Sequence, residues 1–129
     1  MKKMPSILIV DDDMNLLSGL RRALRYQPYD LFVANSAEIA MDMFTRSSFD
    51  LVVADQRMGG KKGTDLIAWL AEHFPDTVRL MLTGHADVEV MKMAINQGKV
   101  YRFLTKPCHD VEIALAILDG LESRLRKLC

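Results

Sequence analysis

Four apolar runs of strand length are each followed at once by polar residues that can do chemistry. Asp11, Asp12 and Asp13 follow Ile7-Leu8-Ile9-Val10, and Asp55 follows Leu51-Val52-Val53-Ala54. Thr83 follows the run 78–82, and Thr105-Lys106 follows the run 101–104. Crowded carboxylates repel and raise each other's pKa unless a cation sits among them. A donor set of oxygens alone, with neither His nor Cys, suits a hard ion such as Mg2+ (or Mn2+). A carboxylate such as Asp55 can act as a nucleophile toward phosphorus. A metal, Lys106 and the Thr83 hydroxyl can then neutralise the oxygens of the transferring group. Taken singly, each residue has a plain structural role. An Asp after a strand is often a helix cap, Asp13 foremost here, a strand-end Thr is commonly structural, and a lone Lys is a solvated charge. Their joint placement is what points to a site.

That placement depends on the elements between them. Residues 6–10, 31–34, 51–54, 78–82 and 101–104 are short, largely apolar runs, the last two each holding one arginine, read as strands buried on both faces. Between them lie amphipathic stretches at helical spacing. Leu16, Leu17, Leu20, Ala23 and Leu24 form the first, with Pro28 as a stop; Ile39, Ala40, Met43 and Phe44 are the buried face of the second, capped by Ser36. Gly59, Gly60 and Gly63 mark a loop before Leu66, Ile67, Trp69 and Leu70, whose helix stops near Pro75. Asp87 is placed to cap a helix bearing Val90, Met91, Ala94 and Ile95, with Gly98 as its stop, and 111–128 is a last helix. Five strand–helix units predict an α/β fold, a doubly wound parallel sheet with helices on both faces. Ligands of such sheets sit beyond the carboxyl ends of the strands, where Asp11, Asp12, Asp55, Thr83 and Lys106 would gather.

The totals narrow the function class. The 129 residues suit one domain able to bury its own core, with 50% hydrophobic and 26% charged residues. Lys plus Arg and Asp plus Glu stand at 17 each, which offers no charge for nucleic acid or an anionic membrane. No apolar run approaches the roughly 20 residues of a membrane helix, and no signal peptide is expected from Met1-Lys2-Lys3-Met4. Cys108 and Cys129 form no metal-type or redox-type pair, so a reducing, cytoplasmic setting is expected.

Ile7-Leu8-Ile9-Val10-Asp11-Asp12, Asp50-Leu51-Val52-Val53-Ala54-Asp55, Leu82-Thr83-Gly84 and Phe103-Leu104-Thr105-Lys106-Pro107 together resemble the motifs of bacterial response-regulator receiver domains, in order and across the whole chain. The resemblance implies a flavodoxin-like sheet of order 2-1-3-4-5 and phosphorelay signalling rather than enzymatic turnover, beyond self-phosphorylation from a donor and slow self-dephosphorylation. It implies that Asp55 is the phosphoacceptor, and that Asp12, Asp11 (through water), Asp55 and the Arg57 carbonyl hold Mg2+. It implies that Thr83 and Lys106 contact the phosphoryl group, that Phe103 is the aromatic switch, and that the Lys106-Pro107 bond is cis. A sensor histidine kinase or phosphotransfer protein is the implied donor. The implied readout is the face of the fourth helix, fifth strand and fifth helix, acting on an output domain in cis, on a protein target or in a homodimer.

The chain departs from the family in one loop. Met58-Gly59-Gly60-Lys61-Lys62-Gly63 stands where the family usually has Met-Pro-Gly-x-Asp-Gly. Gly59 for Pro loosens the loop, and two lysines add positive charge. Arg57 and His85, two residues beyond Asp55 and Thr83, are expected to set phosphoryl lifetime. In the last helix Val111, Ala114, Leu118, Leu121, Leu125 and Leu128 follow a short heptad, so 119–129 is expected to project as a linker or dimer helix from a domain spanning 1–129. The segment 101–107 looks like receivers joined to cyclic-dinucleotide phosphodiesterases or ATP-dependent transcription activators, an analogy only. Two rivals stand beside this reading: an inert receiver-like interaction module, and a haloacid-dehalogenase-type phosphatase with Asp11 as nucleophile and Asp13 as acid/base. The second needs a further acid pair on a later strand, and none is predicted. No G-x-G-x-x-G or P-loop supports nucleotide binding.

Overall fold

The structure, a computed structural model, describes residues 4–84 and 87–128. Strands β1 (Ser6–Val10), β2 (Asp30–Ala34), β3 (Leu51–Asp55), β4 (Val78–Thr83) and β5 (Arg102–Thr105) alternate with helices α1 (Met14–Ala23), α2 (Ala37–Arg46), α3 (Gly63–His73), α4 (Val88–Asn96) and α5 (Asp110–Leu128). The sheet is wholly parallel in the order β2-β1-β3-β4-β5, as predicted. In register, Val10 lies beside Ala34 and Ala54, Asp55 beside Leu82, and Thr83 beside Thr105. The strand ends therefore form one rim.

Alternate residues of a strand face opposite sides, so continuous apolar strands feed two cores. Leu8, Val10, Val52, Ala54 and Met81 pack against α2, α3 and α4 through Ala40, Phe44, Leu66, Leu70 and Met91. Ile7, Ile9, Leu51, Val53, Leu80 and Leu82 pack against α1 and α5 through Leu17, Leu20, Ile113, Ala116 and Ile117. Several helix faces are rotated from the predicted ones. In α2 the buried positions are Ala37, Ala40 and Phe44, with Met43 half-buried and Ile39 exposed. Ala23 and Val90 are also exposed. Phe44 sits within 5.0–6.4 Å (ring centroids) of Phe49, Phe74 and Trp69. That aromatic cluster pins α2 and turns Ile39 outward. Helix α1 ends at Ala23, well before Pro28, because a turn closed by Gln27 N–H donating to Leu24 O (3.1 Å) takes over.

Helix α5 buries Ile113, Ala116, Ile117 and Gly120 most deeply; of the heptad stripe Ala114, Leu118 and Leu121 are half-buried against the same core, while its first residue, Val111, is 67% exposed. Gly120 lies so close to the sheet that an added Cβ would sit 2.8 Å from Leu51 Cδ1. Arg124 ties the helix to the amino edge of the sheet: its Nη1 pairs with Asp50 and its Nε donates to Asp76 O at 3.0 Å. The helix stays against the domain as far as Arg124, so any projection begins beyond it.

The start of α3 is equally close-packed. A Cβ on Gly63 would overlap the Asp55 carbonyl oxygen and lie 2.7 Å from Met81 Cε. Replacing Gly63 with Ala is therefore expected to destabilise the domain by about 3 kcal/mol, since backbone blocks relief of the overlap. Denaturant unfolding of Gly63→Ala beside the parent checks this, and an unchanged midpoint refutes it.

Candidate functional site

The rim assembles the predicted residues from strands distant in sequence. Asp11, fully buried at the end of β1, has its carboxylate held from two sides: Asp13 N–H donates to Oδ1 at 2.9 Å and Lys106 Nζ to Oδ2 at 3.4 Å. Asp55, 5% exposed at the end of β3, lies with Oδ1 3.1 Å from Lys106 Nζ. Asp12 is exposed, yet Asp11, Asp12 and Asp55 each present an oxygen within 4.8 Å of the others. Thr83 is buried beside them on β4, its hydroxyl donating to Gly84 O over a long 3.3 Å. Thr83 O accepts from Lys106 N–H at 2.8 Å, which locks the loop carrying the ammonium to β4. The Lys106-Pro107 bond is cis, as the motif implied. Phe103, on β5, is half-buried against the core shared by α2, α3 and α4.

Asp13 behaves as the cap it was read to be, accepting from Asn15 N–H at 3.0 Å and Leu16 N–H at 3.2 Å. Asp87 does not. It occupies the cap position of α4, but its carboxylate makes no capping bond. It accepts instead from Arg57 Nε at 2.9 Å and Nη2 at 3.3 Å. The Arg57 side chain thus points to Asp87 and away from the acidic cluster. His85, the other expected lifetime residue, lies outside the described residues.

Two site residues were not foreseen. Gln56, buried right after Asp55, accepts from Thr64 N–H at 2.9 Å through Oε1 and donates to Thr64 Oγ1 at 3.3 Å. It takes over the cap of α3, because the residue at the cap position, Lys62, has no acceptor. A glutamine next to the acid and a lysine at the cap position of the helix were the available signals. Gly59 is the second. Its N–H donates to Asp12 Oδ2 at 3.2 Å, a bond that a proline could not make.

The electrostatics follow from two buried acids sharing one ammonium, with a third acid, Asp12, beside them. Burial pushes the Asp55 carboxyl above the usual range, and Asp11 adds to this, against the pull of Lys106 and the Arg57 N–H. Burial pulls the Lys106 ammonium down, but its bond to Asp55 and the charges of Asp55 and Asp11 outweigh that and leave it raised. The site is short of positive charge, and its donors are hard oxygens converging on one point. This fits a divalent cation with carboxylate and carbonyl ligands.

Residues 7–118 match the response regulator receiver domain family. The alginate biosynthesis transcriptional regulatory protein AlgB of Pseudomonas syringae pv. tomato is 34% identical over 118 residues, covering 92% of this chain and 26% of its own length. The signal receiver domain of an HD domain-containing protein from Pseudomonas fluorescens is 33% identical, with a TM-score of 0.88 over 98% of this chain and 93% of that one. A structure described as adenylate cyclase from Rhodopirellula baltica is 36% identical, with a TM-score of 0.90 over 94% of this chain and 90% of that one. The chain spans about a quarter of the length of the curated relatives it matches.

The raised Asp55 carboxyl has a consequence for stability. Its folded value lies above its unfolded one, so the fold favours the neutral acid. The stability this contributes is full below the unfolded carboxylate range and is lost as pH rises through the folded value. In divalent-free buffer at neutral pH, Asp55→Asn is expected to raise the thermal midpoint, and the gain to vanish as pH falls below about 4. Melting curves of both proteins across pH test this; an Asp55→Asn protein less stable at neutral pH contradicts it.

Proposed function

This chain belongs to the response-regulator receiver family, the phosphorelay signalling domains of two-component systems, and on that premise we propose that Asp55 receives the phosphoryl group. The observation that carries the assignment is the position of Lys106 Nζ, 3.1 Å from Asp55 Oδ1, in a pocket where Asp11 and Asp12 also converge. An Asp55 oxygen attacks phosphorus; the oxygen–phosphorus bond forms as the bond to the donor, a phosphorylated histidine of a sensor kinase or phosphotransfer protein, breaks. Asp12, Asp55 and the Arg57 carbonyl, with Asp11 through water, would hold Mg2+ (or Mn2+), which when bound supplies charge neutralisation at the phosphoryl oxygens. Lys106 keeps its ion pair as the carboxylate becomes an acyl phosphate, following the negative charge outward. The Thr83 hydroxyl exchanges its long bond to Gly84 O for a phosphoryl oxygen. Phe103 then turns into the space that Thr83 leaves.

The readout proposed is the α4–β5–α5 face, where Tyr101, Val111 and Leu115 are exposed. Its target is an output domain in cis, a separate protein or a second copy of this chain. AlgB is described as a transcriptional regulatory protein, and the Pseudomonas fluorescens protein carries an HD domain; an output of either kind is compatible with this face. We assign residues 1–129 to the receiver, with any linker helix beginning after Arg124. No helix among the described residues is long and apolar enough to cross a membrane. A cytoplasmic setting, without direct nucleic-acid or membrane binding, accords with the balanced charge of the chain.

The phosphatase alternative is not favoured. Asp13 is engaged as a cap, Asp11 is buried with both oxygens bonded, and no strand follows β5 among the described residues.

Incubation with Mg2+ and acetyl phosphate, read by intact mass, is expected to show one labile phosphoryl adduct that is absent from Asp55→Ala. Turnover of donor that depends on Asp11 identifies a phosphatase instead, and no adduct with any donor identifies an inert module. Arg57→Ala and His85→Ala are each expected to change the decay rate of that adduct severalfold. Decay unchanged in both removes these residues from the control of phosphoryl lifetime.

A further inference from the structure

Three helices begin with a residue that can cap them, and one of the three is not capped. Asp13 starts α1 with extended backbone (φ −86°, ψ 99°) and bonds the N–H groups of Asn15 and Leu16. Ser36 starts α2 with extended backbone (φ −157°, ψ 160°) and bonds Ile39 N–H at 3.1 Å. Asp87 starts α4 with ψ at 8° and no capping bond. A free Asp in this place would accept from Glu89 or Val90 N–H. Its carboxylate is instead gripped by two nitrogens of Arg57. Arg57 stands two residues past Asp55, at the start of the loop that leaves β3. Its side chain is 73% exposed and that of Asp87 only 15%, so the guanidinium can swing without repacking while Asp87 stays at the helix start.

We infer that Arg57 holds Asp87 off the start of α4, and that a phosphoryl group on Asp55 draws Arg57 away and returns Asp87 to capping α4. This rests on Asp55 being the phosphoacceptor. A phosphoryl group brings roughly −1.5 to −2 charge and three strong acceptors beside the root of Arg57, against the single charge of Asp87. Once released, Asp87 must turn its ψ from 8° toward the extended region to cap, which re-aims the first turn of α4. Helix α4 borders the proposed output face, so the exchange links the acid to the readout by a route separate from Thr83 and Phe103.

The test is amide hydrogen exchange at Glu89 and Val90, read by NMR, with and without beryllofluoride plus Mg2+ as the phosphoryl mimic. In the parent, the mimic is expected to slow exchange at these amides about fivefold, the effect of one side-chain cap. Arg57→Ala, a change at an exposed residue, is expected to show the slow exchange without the mimic. Asp87→Ala is expected to show fast exchange in both states. Unaltered exchange in Arg57→Ala, or a gain of protection in Asp87→Ala equal to the parent's, overturns the inference. Fluorine NMR of bound beryllofluoride separates the two levels. No binding to the parent overturns the assignment of Asp55 and the exchange with it, whereas binding without the α4 response overturns the exchange alone.

Discussion

Lys106 Nζ lies between two buried carboxylates, 3.1 Å from Asp55 Oδ1 and 3.4 Å from Asp11 Oδ2. Burying either acid alone is costly, and burying both close together is costlier. One ammonium offsets part of that cost and leaves a deficit of positive charge, which is what fits the rim to a divalent cation and to the phosphoryl group proposed for it. The rest of the structure serves this arrangement. Order 2-1-3-4-5 makes β1 and β3 neighbours, which sets Asp11 beside Asp55. It leaves Lys106 to reach in from the far edge, over β4, with its backbone bonded to Thr83.

The loop after Asp55 shows how a departure from the family can be absorbed. A proline stiffens a loop by fixing φ and removes an N–H. Gly59 gives up the stiffness but keeps the N–H, which is bonded to Asp12, the one exposed acid of the cluster. At the other end of the loop Gln56 caps α3, and Gly63 lies against the Asp55 carbonyl where no side chain fits. The loop is therefore tied to the acids at both ends, and loop order and acid geometry depend on each other.

Helix capping is usually treated as a local matter, decided within four residues. The three capable residues in this domain show that the outcome is tertiary. Asp13 and Ser36 pair with no cation among the described residues and cap their helices. Asp87 has the right type in the right place, but Arg57, thirty residues earlier, competes for it with a bidentate, charge-assisted grip stronger than a neutral cap bond.

The sequence by itself determined the five strands, their parallel pairing and the polar residue at the end of each functional strand, because apolar runs, helical spacing and Gly or Pro stops are local signals. The motif resemblance added roles and the sheet order, which spacing alone does not decide. What stayed hidden depended on neighbours far along the chain. Ile39 fits the apolar period of α2 as well as Ala37 does; the aromatic cluster around Phe44 decided which is buried. The heptad of α5 was visible, but the close approach at Gly120 and the anchor at Arg124 centre the buried face beside it, on Ile113, Ala116 and Ile117, and leave Val111 and Leu125 exposed. Gln56 capping α3, Gly59 holding Asp12 and Arg57 taking Asp87 each pair residues brought together only when the loops beyond β1, β3 and β4 meet at one rim. Hydrogen bonds and ion pairs act over a few ångströms in space, and distance along the chain carries no record of them.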